Sequence, residues 1–545
     1  MKAVGSMKIG LFLGYGPDTV LGKEGLGRYL GNLIKSLQAA GNQVTVACPK
    51  WLCDTLEELF KDFSIDKEEV GLIVTSKIPV ICRLFRWKAR RQRRKRTKIF
   101  KKGIQWGAHF WVDVITSITN IFLFGLFLLA AFFLAIILIP MIAIAGLAGC
   151  LFLLICKVAG KYNSRIKFVF EKLTRIYEVI CYDGMRTFAV IYYQLIENSQ
   201  KQLVKKINES KKLDLWYSPA IFWPAFNEIK AKKVINVPDL VTIEFAEKWG
   251  GRKDILHSSK HCEKTISNGN YFIVYGNYVK ESVLIHKFNK AEKNVAVIPH
   301  GVNDMKPYIT IDSQVVCNMG MQETFTKSYC KNLLQTLAPH SREMTEYIRE
   351  YRFDDVKYIF YPSQLRPHKN ILNLIKAYEY LLRKKYVRIK LFFTCNPDDD
   401  AEVKKYVVGH RLQYDILFFH QISVQQLAAL YKRAELVVNP TLYEGGFPFT
   451  FGEGMSVGTP SVMSRIPQVL EMTDGCGWED YLFDPYDYKD IAAKIMYGLE
   501  HRMELVSAQK QLFDNMKKRT WEVVGKEYVE VFKYFVEQKN EEEML

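Results

Sequence analysis

Eleven cysteines are scattered through these 545 residues with no C-x-x-C pair and no cysteine spacing of a metal centre. Their odd number argues against a disulfide framework, and reduced thiols in a cytosolic compartment are the plain inference. No short-period repeat is present. Low complexity is confined to one basic run and the acidic tail Glu541–Glu543. No cleavable leader is visible, because Met7-Lys-Ile-Gly-Leu-Phe-Leu-Gly14 reads as a first strand rather than the apolar core of a signal sequence. Residues 1–6 read as an alternative start or an expression remnant. Two local absences say more. Arg83 to Lys102 holds twelve Lys or Arg and no acid, and the forty-three residues between Asp113 and Lys157 hold no charge at all.

The second absence predicts a membrane segment. One span needs about 20 apolar residues, so residues 114–156 allow two spans or a hairpin that enters and leaves by one face. A soluble helical pair would show a polar stripe, which is missing here. The run Lys88-Ala-Arg-Arg-Gln-Arg-Arg-Lys-Arg96 precedes the segment and Lys157, Lys161, Arg165 and Lys167 follow it. Positive flanks on both sides place both ends in the cytoplasm. Leu134-Ala-Ile-Ile-Leu-Ile-Pro140 offers no polar residue to water on a far side, which favours a re-entrant hairpin kinked near Pro140 over two full spans. Much of the formal charge of +18 belongs to the basic run, whose removal leaves +6. Beside a membrane segment, anionic lipid is a better partner for it than nucleic acid, since each cation contributes about 1 kcal/mol near an acidic leaflet.

Elsewhere short apolar runs alternate with helical patterns. Strands are expected at Lys8–Gly14, Gln43–Pro49, Asp214–Ser218, Lys233–Val237, Tyr271–Val274 and Asn294–Pro299, and again at Tyr358–Pro362, Lys390–Thr394, Ile416–His420, Leu436–Asn439, Pro460–Ser464 and Tyr481–Phe483. This alternation predicts two parallel sheets covered on both faces. The fold class is therefore α/β, with two Rossmann-like domains facing a cleft. Ligands of such sheets bind beyond the carboxyl ends of the strands. Residues 303–355 form a long connection of weak pattern, with helix propensity at Glu343–Arg352.

Glu444-Gly-Gly-Phe-Pro-Phe-Thr-Phe-Gly-Glu453 places two carboxylates around a turn between a buried strand and the start of a helix. An ionised Glu accepts several hydrogen bonds from hydroxyls, and N–H groups at a helix start face phosphate or sugar oxygens. A sugar nucleotide offers both kinds of partner. Gly22-Lys-Glu-Gly25-Leu-Gly27-Arg28-Tyr29 is a second glycine-bearing loop, where the backbone can approach a ligand closely. Asp398-Asp-Asp400 reads as a surface turn rather than a metal motif.

These segments, with Val297-Ile-Pro-His-Gly-Val302, Tyr361-Pro-Ser-Gln-Leu-Arg-Pro-His-Lys369-Asn370, Ile422–Tyr431, Leu482–Pro485 and Thr520–Tyr528, resemble the retaining GT-B glycosyltransferases of family 4. The resemblance implies an N-terminal acceptor-side domain over 7–300, interrupted at 83–175 by the basic segment and hairpin. It also implies a C-terminal nucleotide-sugar domain over 301–518 and a helix over 519–545 returning to the first domain. Lys369, helped by Arg366, would hold the leaving diphosphate. Arg366 can equally be a solvated charge. Glu453 would bind the ribose. Glu444, with backbone around Gly446, Phe447 and Pro448, would hold the sugar, and Gly25 and Gly27 would approach the donor phosphates. Three departures stand out. Eight residues separate the glutamates where seven are usual, Gln364 replaces an Arg, and Pro238-Asp239 replaces a His-Asp pair, leaving Asp239 as the acceptor-side candidate.

The implied reaction is metal-independent, uses a UDP-, GDP- or ADP-sugar as substrate with no cofactor, and retains anomeric configuration. The departing phosphate would help deprotonate the acceptor. His300 and His368 are proton-carrying candidates with more ordinary structural readings. The hairpin and basic collar point to a polyprenyl-phosphate-linked or glycolipid acceptor at the cytoplasmic face of the inner membrane, in cell-surface polysaccharide assembly. A soluble or protein acceptor, a membrane-anchored pseudoenzyme scaffold and a homo-oligomer remain open.

Overall fold

The computed structural model describes residues 6–21, 25–76, 78–79, 82, 122, 125, 129, 191–245, 253–310, 319–337, 347, 356–419 and 422–538. The expected hairpin over 114–156 and the basic run lie outside the described residues, apart from isolated positions. Among the described residues no helix is long and apolar enough to cross a membrane.

Two all-parallel sheets organise the chain. The first is seven-stranded, in the order β3-β2-β1-β4-β5-β6-β7, from β1 (Lys8–Phe12), β2 (Gln43–Cys48), β3 (Val70–Val74), β4 (Leu215–Ser218), β5 (Lys233–Val237), β6 (Tyr271–Val274) and β7 (Val295–Val297). The second is six-stranded, in the order β10-β9-β8-β11-β12-β13, from β8 (Tyr358–Tyr361), β9 (Lys390–Phe393), β10 (Ile416–Phe418), β11 (Leu436–Asn439), β12 (Ser461–Ser464) and β13 (Leu482–Phe483). Central strands such as Leu-Trp-Tyr-Ser in β4 and Leu-Val-Val-Asn in β11 are buried along their whole length, as a parallel strand covered on both faces requires.

In each sheet the strand order reverses once at its middle, between β1 and β4 and between β8 and β11. Chain leaving neighbouring strands there goes to opposite faces, and the crevice between receives ligands. Only β3 escaped the sequence pattern. It is an edge strand with Gly71 and Leu72 exposed, so its apolar signal is half that of its neighbours. The weakly patterned connection contains the helix Met319–Gln335, whereas most of the expected Glu343–Arg352 helix lies outside the described residues.

The helix Trp521–Glu537 packs on the first domain. Val524, Tyr528, Val529, Phe532 and Phe535 enter one core with Leu30, Leu33, Ile34 and Leu37 of the helix Gly25–Ala39. Each such burial contributes about 1.5–3 kcal/mol. Gly525 permits the close approach, since a Cβ there would stand 2.5 Å from that of Ser36. At the two chain crossings, Arg519 forms a bidentate pair with Glu527 at 2.8 and 2.7 Å and donates to the Pro299 carbonyl at 2.9 Å. One guanidinium thus ties both interdomain connections together.

Candidate active site

The loop after β8 carries Gln364, Arg366 and Lys369. Asn370 ends it in a left-handed conformation, φ 54° and ψ 31°, which Asn tolerates better than most residues. Its amide donates to the carbonyls of Pro440 (3.0 Å) and Pro485 (2.6 Å), and Leu442 N–H donates to the His368 carbonyl at 2.7 Å. These bonds stitch the post-β8 loop to the post-β11 loop, across the point where the sheet reverses, and to the loop after β13. The result is an ion pair between Lys369 Nζ and Glu444 Oε1 at 2.5 Å. Gln364 and Arg366 are exposed beside it. His368 is buried, and burial with the neighbouring Lys369 and Arg366 charges holds its imidazole down to about 2. It stays neutral at physiological pH.

Glu453 sits one turn into the helix Phe449–Ser456, which follows Pro448 without a side-chain cap. It is 3% exposed. A carboxylate taken out of water must be paired and hydrogen-bonded, and this one is: Oε1 accepts from Arg28 Nη1 (3.2 Å) and Asn303 Nδ2 (3.0 Å), and Oε2 from the Tyr431 hydroxyl (2.7 Å). Arg28 belongs to the first domain, so the contact spans the cleft.

Other groups seal the same cleft. A Cβ on Gly445 would run into the Pro238 carbonyl, and one on Gly446 would stand 2.8 Å from Tyr275 Cβ. The two glycines therefore let the carboxylate turn lie directly on the first domain, beside Asp239, whose own Oδ1 meets Val241 N–H at 3.4 Å. Phe447 turns its ring into an apolar cluster with Phe451 and Trp478, leaving its carbonyl to meet His300 Nε2 at 3.0 Å. His300 stacks on Phe449 with ring centroids 3.6 Å apart, and burial holds its pKa down to about 4. Glu471 accepts from the backbone N–H groups of Asn277 (2.8 Å) and Tyr278 (2.5 Å) across the domain boundary. Gly25 and Gly27 occupy the first turn of the helix Gly25–Ala39, and a Cβ on Gly27 would strike the Leu21 carbonyl.

Glu444, Glu453, Lys369, Gly445 and Gly446 are thus gathered at one cleft, with Arg366 and Gln364 at its edge. Sequence reasoning missed Arg28, Asn303 and Tyr431 as partners of Glu453. Arg28 alone carried a signal, as the cation directly after Gly27, the third glycine of the loop. The acidic triplet serves local turns, with Asp400 capping the helix Ala401–Gly409 and Asp398 pairing with Lys404 at 2.7 Å.

Two parallel-sheet domains meeting at a cleft, with a cation–carboxylate pair and a buried carboxylate beyond the strand ends, define a GT-B-like α/β fold. Residues 343–519 match the family model for "Glycosyl transferases group 1". The chain is 26% identical over 237 residues to the serotype-specific mannosyltransferase WbdA of Escherichia coli, covering 42% of this chain and 26% of that protein. It is 31% identical over 159 residues to the O-antigen chain mannosyltransferase RfbU of Salmonella typhimurium, covering 28% of this chain and 42% of that one. The chain therefore spans less than half the length of these relatives. Among solved structures, Anabaena Alr3699/HepE in complex with UDP-glucose aligns with a TM-score of 0.53 at 11% identity, covering 96% of this chain and 98% of that chain. That likeness is one of fold.

Proposed function

We propose that this chain is a membrane-associated retaining glycosyltransferase. It moves a sugar, mannose by analogy with its relatives, from a nucleoside-diphosphate donor to a polyprenyl-phosphate-linked or glycolipid acceptor during cell-surface polysaccharide assembly. The observation that carries this reading is the convergence of Lys369, Glu444 and Glu453 where the second sheet reverses, opposite Arg28 of the first domain.

Breaking the bond between anomeric carbon and phosphate oxygen leaves negative charge on the diphosphate. Catalysis requires cations and N–H dipoles where that charge develops. Lys369 and Arg366 supply the cations, so the reaction is metal-independent, and the uncapped start of the Phe449 helix adds its dipole. The acceptor hydroxyl attacks from the face the phosphate leaves, and its proton passes to the departing phosphate oxygen. Glu444 orients the sugar with the Gly446–Pro448 backbone. Gly25 and Gly27 lie close to the phosphates, Gln364 lines the donor side and Asp239 the acceptor side. Donor binding replaces Arg28 on Glu453 Oε1 with ribose hydroxyls and turns the guanidinium towards the diphosphate. The uncharged stretch 114–156 and the basic run support placement at the cytoplasmic face of the inner membrane.

The test supplies radiolabelled UDP-, GDP- and ADP-sugars with a polyprenyl-linked lipid extract and counts label in the organic phase. One donor is expected to label the lipid, with the anomeric configuration retained by proton NMR. Label entering only soluble or protein fractions overturns the lipid acceptor. No transfer from any donor by folded protein favours the scaffold reading, which the full engagement of Glu453 by protein groups also supports.

A further inference from the structure

A cluster of ligating side chains lies away from the carboxylate turn. His257 and His261 are one helical turn apart on Lys253–Ser267, so both imidazoles leave the same face, with ring centroids 4.1 Å apart. Glu197, on the helix over 191–209, presents Oε1 to both. It stands 3.5 Å from His261 Nε2 and 4.0 Å from His257 Nε2. One ligand atom from each of the three residues lies within 4.8 Å of the other two.

These distances decide between two uses. A histidine–carboxylate hydrogen bond closes to about 2.7–3.2 Å, and neither pair reaches it. Tetrahedral zinc with bonds of about 2.0–2.2 Å holds its ligand atoms about 3.3 Å apart, a spacing that small side-chain rotations reach from here. His257 Nε2 is fully covered and has no hydrogen-bond partner, a costly state for a ring nitrogen unless something occupies the space before it. Tyr193 packs against His257 with ring centroids 4.4 Å apart and walls one side.

We propose that Glu197, His257 and His261 form a divalent transition-metal site of the zinc class, completed by solvent, that fastens the helix over 191–209 to the helix Lys253–Ser267. Two imidazoles and one carboxylate are a donor set that suits zinc, and each of the three side chains keeps part of its surface in solvent. The fastening matters for the cleft. Gln200, on the same helix as Glu197, donates to the Gly14 carbonyl at 2.9 Å, and Tyr192 hydrogen-bonds Asp18 in the loop after β1. Ser259, between the two histidines, donates to the Thr242 carbonyl at 2.6 Å, close to Asp239. The metal is structural: it holds the wall of the first domain and touches no reacting group.

The test uses full-length detergent-purified protein, stripped with chelator and titrated with zinc alone, then with cobalt(II) as a spectroscopic probe. One zinc per chain by elemental analysis is expected, with a rise in melting temperature on reloading. Cobalt should give visible ligand-field bands without the near-ultraviolet thiolate charge-transfer band that binding by cysteines would produce. His261→Gln and the double variant His257→Ala/His261→Ala should weaken zinc binding at least about 100-fold. Wild-type protein that binds no zinc at micromolar free metal overturns the proposal without recourse to a variant. So does a thiolate band, or unchanged affinity in folded variants. Because the readouts are stoichiometry, spectrum and melting, failure here is distinguishable from failure of the glycosyltransferase reading.

Discussion

Arg28 and Glu453 lie 425 positions apart in the chain and meet at 3.2 Å across the cleft, the guanidinium of the first domain on the nearly inaccessible carboxylate of the second. The pair couples domain closure to the residue proposed to read the ribose. Glu453→Gln removes the charge that Arg28, Asn303 and Tyr431 satisfy. It is expected to weaken nucleotide binding about 10–100-fold, with a coupling to Arg28→Met of about 1–3 kcal/mol in a double-mutant cycle. Calorimetric titration of all four proteins with the nucleoside diphosphate measures both quantities, and additive effects would separate Arg28 from the site.

Lys369→Ala is expected to lower kcat about 100–1,000-fold, the loss typical when one preorganised donor to developing charge is removed. Because Lys369 also satisfies Glu444, Lys369→Met combined with Glu444→Gln should restore stability without restoring rate. Steady-state kinetics beside thermal melts separates the two effects.

Gly445→Ala drives a methyl group into the Pro238 carbonyl. The backbone cannot yield as a flexible side chain would, so the domains must part. A stability loss of about 1–3 kcal/mol and a larger radius of gyration by solution scattering are expected.

His300 supplies a pH dependence whose sign follows from its depressed pKa. Burial holds the folded value near 4, below the ordinary value of about 6.5, so the unfolded chain binds the proton more readily. Its contribution to stability is complete above about pH 6.5 and is lost as pH falls from there towards 4. Melting temperature should decline over that window, less steeply in His300→Gln. Activity between pH 7 and 8 should not titrate with this residue.

Tyr528→Phe removes one of three hydroxyls that meet between the C-terminal helix and the first domain. Tyr29 Oη lies 2.8 Å from Tyr528 Oη and 2.5 Å from Tyr217 Oη. A loss of about 1 kcal/mol, or about 2–4 °C in melting temperature for a domain of this size, is expected by calorimetry.

The sheets were legible because buried parallel strands are continuous apolar runs, and strands such as Leu436–Asn439 have no other reading of comparable strength. β3 was not, since an edge strand with Leu72 in solvent loses that contrast. At the site, Glu444 and Glu453 stood out because their spacing around glycine and proline is local, and Lys369 because its loop resembles the phosphate-gripping loop of the family. The partners of Glu453 did not, because Arg28, Asn303 and Tyr431 reach it only through tertiary packing, with no common sequence period. The Glu197–His257–His261 cluster was not read from the sequence, because its carboxylate comes from a different helix and meets the two histidines only through tertiary packing.

The central claim is sugar transfer driven by Lys369 beside the paired glutamates. The most direct measurement is nucleoside diphosphate release by purified protein from UDP-, GDP- and ADP-sugars, with and without polyprenyl lipid, beside Lys369→Ala. Lipid-dependent release from one donor, reduced at least 100-fold in the variant, is the predicted result; no release from any donor by folded protein, or equal release by Lys369→Ala, contradicts it.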